Sequence, residues 1–187
     1  MLPVFVLLGL LALAVLWYIG AFNGLVRKRN QVKNAWAQID VQLKRRHDLI
    51  PNLVETAKGY MTHERETLET ITRARSGAMS AQASGQVAQI GQAEGQLAGA
   101  LRGFYAVAES YPDLKANTNF LALQEELTST ENKIGFARQF YNDSVMVFNT
   151  ACESIPTNLV ASMGGFQKAD FFEIEVPAER EVPKVKF

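Results

Sequence analysis

Hydrophobic and polar positions divide the chain into three regimes. From Leu2 to Phe22 no side chain is charged, and the first charges arrive together at Arg27, Lys28 and Arg29. At about 1.5 Å per helical residue, a run of this length crosses a hydrocarbon core of roughly 30 Å. Trp17 and Tyr18 stand near its end, and amphipathic rings there favour the headgroup layer. The pattern predicts a transmembrane anchor over residues 1–24. A cleaved signal peptide is the alternative. No Lys or Arg precedes the run and no clear small-x-small site follows it before the charges, which weighs against cleavage.

Beyond the anchor the apolar period becomes helical. Val32, Ala35, Ile39, Leu43, Ile50 and Val54 follow steps of three, four or seven, with no Gly or Pro between Val26 and Ile50. This predicts a helix over about 25–49. Pro51 then either starts a new helix, with Asp48 as its N-cap, or sits in a kinked continuous one. A second helix is predicted over 51–78. Its seam is Val54, Ala57, Met61, Leu68, Ile71 and Ala78, and its other faces are charged. The Ser-, Ala- and Gly-rich stretch from Ser76 to Gly85 reads as a frayed end and loop. A third helix is expected over 86–110, with the seam Val87, Ile90, Leu97, Leu101, Phe104 and Ala108 and the polar Glu94 in its gap. Ser110-Tyr111-Pro112-Asp113 stops it. The fourth, over 119–152, carries near-heptad spacing from Phe120 through Leu127, Ile134, Tyr141 and Phe148 to Cys152. A second stripe of Phe136, Phe140 and Val147 widens its apolar face as a bundle requires.

The expected fold is all-α: one N-terminal transmembrane helix, an antiparallel four-helix bundle with long helices over 25–155, and a short extended tail over 156–187. In that tail Phe171, Phe172, Glu173, Ile174, Glu175 and Val176 alternate in part like one short strand, and Pro177 and Pro183 bracket an acidic patch. Six residues alone do not make a stable sheet. The tail therefore lies on the bundle, pairs with another chain, or stays mobile.

Gly91, Gly95, Gly99 and Gly103 recur every four residues inside the third predicted helix. Each costs a helix about 1 kcal/mol relative to Ala. At about 100° per residue, with Leu97 at the origin, the apolar seam spans about −20° to 60° and the glycines fall at about 120°, 160°, 200° and 240°. They lie opposite the seam, on the outside of the bundle. From Ser76 to Ala108 the charged residues are Glu94 and Arg102 alone, less charge than a solvated face carries. The stripe is thus expected to touch another protein, most simply a second copy, because small residues let backbones approach. The tail residues Phe171, Phe172 and Ile174 are expected to join that contact.

Charge and chemistry narrow the functional classes. The 187 residues hold 19 Lys and Arg against 19 Asp and Glu, a balance that argues against a nucleic-acid binder. The basic residues cluster, however: Arg27, Lys28, Arg29, Lys33, Lys44, Arg45 and Arg46 face Asp40 alone. The positive-inside rule then places the C-terminal domain in the cytoplasm and the N-terminus outside, with the bilayer as a partner. Lys44 to Arg46 read equally well as a solvated basic helix face. The single Cys152 excludes an intrachain disulfide and reads as a buried structural thiol. His63-Glu64 begins like a zinc-protease motif, but Thr67 stands where its second His belongs. Phosphate loop, nucleophile elbow and Glu-x-x-His pairs are all missing. No catalytic residue, metal or cofactor is expected.

Arg29-Asn30 and the run Ala35-Trp36-Ala37-Gln38-Ile39-Asp40-Val41-Gln42-Leu43-Lys44-Arg45-Arg46-His47-Asp48-Leu49-Ile50-Pro51-Asn52-Leu53-Val54 strongly resemble the LemA family of bacterial membrane proteins. Tyr111 to Ala116, Leu123 to Leu127, Thr130 to Ile134, Ala137 to Asn142, Phe172-Glu173 and Val185-Lys186-Phe187 fit the same pattern. The resemblance covers nearly the whole chain, although the glycine stripe is not a hallmark of the family. It implies a single membrane helix ahead of an antiparallel four-helix bundle at the bacterial inner membrane, with no established enzymatic activity. It also implies a link to inner-membrane shaping in magnetosome-forming bacteria, and to membrane proteases and stress responses. The matched Asn30, Gln38, Asp40, Arg46, His47, Asp48, Asn52, Glu131, Asn132 and Asn142 are expected to be structural, with Trp36 and Asp40 anchoring the junction to the membrane or a neighbour. Two functions follow as expectations: a self-associating membrane scaffold, or an adaptor for another membrane protein such as a protease.

Overall fold

The computed structural model describes residues 2–174. Among them are six helices and no strand: α1 (Leu2–Lys58), α2 (Arg65–Ser84), α3 (Val87–Ala108), α4 (Pro112–Lys115), α5 (Thr118–Glu153) and α6 (Thr157–Met163). The chain is all-helical, and the N-terminal part of α1 is long and apolar enough to cross a membrane. Residues 166–174 are irregular. The remainder of the expected strand and the closing Lys184 to Phe187 lie outside the described residues.

Of the two outcomes open at Pro51 the structure shows the continuous helix: α1 runs on to Lys58, and the predicted helix boundary at 49–51 is not there. Pro51 has no N–H to donate to the carbonyl of His47, four residues back. That oxygen accepts from Arg75 Nε of α2 at 2.6 Å instead. A side chain fills the gap in the ladder, so the reversal moves to residues 59–64. There Met61 is buried and Tyr111 donates to Glu64 at 3.0 Å. The Ser- and Ala-rich stretch after Ser76 is helix as far as Ser84. Gly85 ends it in the left-handed region at φ 71°, its N–H bonded to Gln82 O. Only Gly takes that conformation without strain. The two short helices α4 and α6 were not expected. Pro112 starts α4 at a position where its missing N–H costs nothing, and α4 buries Leu114.

The chain divides into two compact units. One comprises residues 1–38 and 137–170. Leu25, Val32 and Ala35 of α1, Tyr141, Val145 and Phe148 of α5, and Val160 and Ala161 of α6 are buried in it. Phe166 completes that core. Its ring lies 5.3 Å from Phe22, 6.4 Å from Phe148 and 5.0 Å beneath the Arg29 guanidinium. The segment after α6 is held to α5 by polar contacts. Asn149 pairs its amide with both the N–H and the C=O of Ala169, each at 2.9 Å, and Tyr141 donates to Asp170 O.

The other unit comprises residues 39–136 and 171–174. Its core joins Ile50, Leu53 and Ala57 of α1, Leu68 and Ile71 of α2, Leu97, Leu101 and Phe104 of α3, Leu114, and Phe120 and Leu127 of α5. Asn117 caps α5, accepting from Phe120 N at 3.0 Å, and donates to the Tyr60 hydroxyl.

The second apolar stripe of α5 does not widen the core. Phe136, Phe140 and Val147 are exposed. At about 100° per residue they sit within about 40° of one another, while the buried Ile134, Ala137, Tyr141, Val145 and Phe148 occupy a separate arc.

Candidate functional site

The most concentrated chemistry lies at Arg46 and His47, adjacent residues of α1 that both turn inward. Arg46, His47 and Glu94 of α3 are each almost wholly buried. Arg46 donates through Nη2 to Glu94 Oε2 and through Nη1 to Glu131 Oε2 of α5. His47 donates through Nε2 to the second Glu94 oxygen at 2.8 Å. With Arg75 of α2 on the His47 carbonyl, all four long helices meet at these two residues. Burial pushes the Glu94 carboxyl up. The His47 hydrogen bond and the Arg46 charge outweigh that and hold it below the usual glutamate range.

The sequence explains the position of Glu94. It stands at about 60° on the α3 wheel, at the edge of the apolar seam, so its carboxylate enters the core and must be paired there. Both its oxygens are engaged by protein donors, which ties α1 to α3 at this point. Among the described residues no group of three or more His, Cys, Asp or Glu is placed to hold a metal ion. The signal missed in the sequence was the inward turn of Arg46 and His47: Arg46 read as part of a basic surface, yet it is the buried counter-ion of Glu94. Two stretches that carried the family resemblance, around His47 and around Glu131, come together here.

The glycine stripe divides in the middle. Gly99 and Gly103 are exposed, with open space where a side chain would begin. Gly91 and Gly95 are buried, which corrects the expectation that all four face outward. A β-carbon on Gly91 would overlap the Glu173 carbonyl oxygen and stand 3.6 Å from the Phe172 ring. The chain's own tail covers this end of the stripe. Phe172 is fully buried there and unavailable to a second molecule, while Phe171 is exposed and Ile174 half-buried.

At the membrane-proximal end Trp17 is exposed and Tyr18 stacks 6.4 Å from Phe22. Arg27 is exposed, Lys28 half-buried, and Arg29 lies over Phe166. Trp36 meets Tyr141 edge-on at 5.3 Å. Asp40 accepts from Gln82 at 2.6 Å, so each of that pair has a partner within the chain. Cys152 is half-buried, and burial together with Glu153 raises its thiol.

The LemA family pattern matches residues 35–187. The chain is 29% identical over 185 residues to Protein LemA of Metamycoplasma hominis, covering 97% of this chain and 80% of that one. It is 23% identical over 203 residues to Magnetosome protein MamQ 2 of Paramagnetospirillum magneticum and 22% identical to Magnetosome protein MamQ of Magnetospirillum gryphiswaldense. In both cases the match covers 94% of this chain and 74% of the relative. A pattern spanning the Arg46–His47 turn, the Glu94 seam and the Glu131 helix leaves one conclusion: the chain belongs to the LemA family.

Proposed function

We propose that the protein is a single-pass, membrane-anchored, non-enzymatic helical scaffold that self-associates at the bacterial inner membrane and helps to organise it. The four long helices, which meet at Arg46–His47, are read as an antiparallel bundle carried on the membrane segment of α1. The basic residues from Arg27 to Lys33 favour a cytoplasmic bundle and an external N-terminus. The observation that carries self-association is the stripe on α5. Phe136 is 73% exposed and lies in line with exposed Phe140 and Val147. Nothing among the described residues covers these aromatic rings, and such patches mark contact surfaces. Two relatives are magnetosome proteins by name, in keeping with the link to inner-membrane shaping that the family resemblance implies.

The test is the mass of the full-length protein in gently extracted membrane discs, by mass photometry. The expected result is a discrete multimer with no second polypeptide. Phe136→Glu with Phe140→Glu reduces it to a monomer of unchanged helicity by circular dichroism. A wild-type monomer at high concentration overturns the scaffold.

One observation favours a second reading, an adaptor for another membrane protein. With Glu94 buried, Arg102 is the sole charge left on the outside of α3, beside the open Gly99 and Gly103. A stoichiometric foreign polypeptide in the same preparation, lost on Gly99→Leu with Gly103→Leu, establishes the adaptor instead.

A further inference from the structure

We infer that α6 is a second membrane contact, a short helix that lays its outer face in the lipid interface beside the point where α1 leaves the bilayer. The inference rests on the reading that α1 spans the membrane ahead of Phe22. It stands on residues within one compact unit.

Three observations converge. First, α6 is apolar on two faces. Val160 and Ala161 are buried, while Leu159 is 63% and Met163 77% exposed. Ile155, in the turn just before α6 begins, is 85% exposed as well. Packing explains the inner face alone.

Second, the chain places this row at the exit of the apolar span. The side chains of α1 are open through Trp17, and burial begins over the two turns that hold Tyr18, Phe22 and Leu25. The residue directly after α6 is Gly164, where a β-carbon would stand 3.0 Å from the Phe22 ring, and Phe166 packs on that ring at 5.3 Å. The end of α6 and the end of the span are therefore neighbours.

Third, the charges form a rim one step further out. Arg29 lies over the other side of Phe166, about 10 Å along α1 from Phe22 at the helical rise. Arg27 and Lys33 are exposed with it, while Lys168, after α6, is paired with Glu153 at 2.7 Å. Apolar side chains at the acyl boundary with cations at headgroup depth are the arrangement of an interfacial helix on anionic lipid. A water-facing helix would have no use for the outer row, whereas the hydrocarbon edge beside Phe22 accepts it directly.

The test uses the full chain in vesicles of phosphatidylcholine and phosphatidylglycerol. An environment-sensitive fluorophore is attached in a Cys152→Ala background at Met163→Cys, at Leu10→Cys within the span, or at Ser129→Cys on exposed α5. Nitroxide lipids carry the quencher either just below the headgroup or deep in the acyl chain. The expected result is a blue shift and loss of fluorescence at 163 with the shallow quencher, loss at 10 with the deep one, and neither at 129. A water-like spectrum at 163 beside a quenched label at 10 overturns the inference and leaves the anchor standing. A blue shift at 163 without quenching puts protein against α6 and overturns it as well. An unquenched label at 10 removes the anchor and the inference together.

Discussion

Glu94 has both carboxylate oxygens engaged, one by a guanidinium and one by an imidazole, in a site closed to water. Burying a charge pair returns little net stability, but removing one partner strands the other at a cost of about 3–5 kcal/mol. Glu94→Gln should therefore lower the denaturation free energy at neutral pH by an amount of that order. The pH dependence follows from the depressed carboxyl. Its stabilising contribution is complete above the ordinary glutamate value of about 4.3 and drains away as pH falls through the lower native value. Urea melts across that acid range should fall steeply for the native chain and more gently for Glu94→Gln. Equal slopes would assign the acid sensitivity to other groups. That Glu94 enters the core was legible from its place on the helical wheel. Its partners were not, because Arg46 and His47 lie 48 and 47 residues away and nothing in a one-dimensional pattern pairs them.

At the scale of the element, Pro51 and the glycines show why the sequence pattern located the helices better than their ends. A proline inside a helical register reads as a break. The break is averted by Arg75, a residue of the next helix whose reach no local rule contains. Arg75→Ala should cost about 1–3 kcal/mol by orphaning the His47 carbonyl. In a Pro51→Ala background the restored N–H takes that oxygen, so the cost of Arg75→Ala should shrink. A double-mutant cycle by chemical denaturation measures the coupling, expected at about 0.5–3 kcal/mol; additive costs would contradict the bridge. On α3 a stride of four overshoots the helical repeat by about 40° each time. The glycine row therefore winds from the covered side at Gly91 to the open side at Gly103. The wheel put the four in the right order and set the edge of the covered arc too early, since the tail that extends it comes from far along the chain. Thermal melts should separate the two ends. Gly99→Ala and Gly103→Ala should each stabilise by about 0.5–1 kcal/mol. Gly91→Ala, with an overpacking cost of about 1–3 kcal/mol against a backbone carbonyl, should destabilise.

For the whole molecule, the apolar surface sorts by solvent. The row from Leu2 to Trp17 is open all round, as lipid contact requires. The stripe of Phe136, Phe140 and Val147 is a narrow exposed band on α5, which suits a protein neighbour. The mass measurement on the full chain is the expectation proper to this scale, because self-association is a property of no single helix. The all-helical class and a helix long and apolar enough to cross a membrane were legible because each rests on a long, strongly periodic or uniformly apolar run. The role of the second stripe on α5 was misread, since periodicity reports that residues share a face but not whether that face is covered.

The seat of Glu173 on Gly91 carries a genetic consequence. Every other amino acid adds a β-carbon, so this position admits no conservative replacement, although Gly→Ala ranks among the mildest changes by chemical likeness. A saturation library should therefore place codon 91 with the core positions in its intolerance, and codons 99 and 103, on the same helix, with the permissive surface.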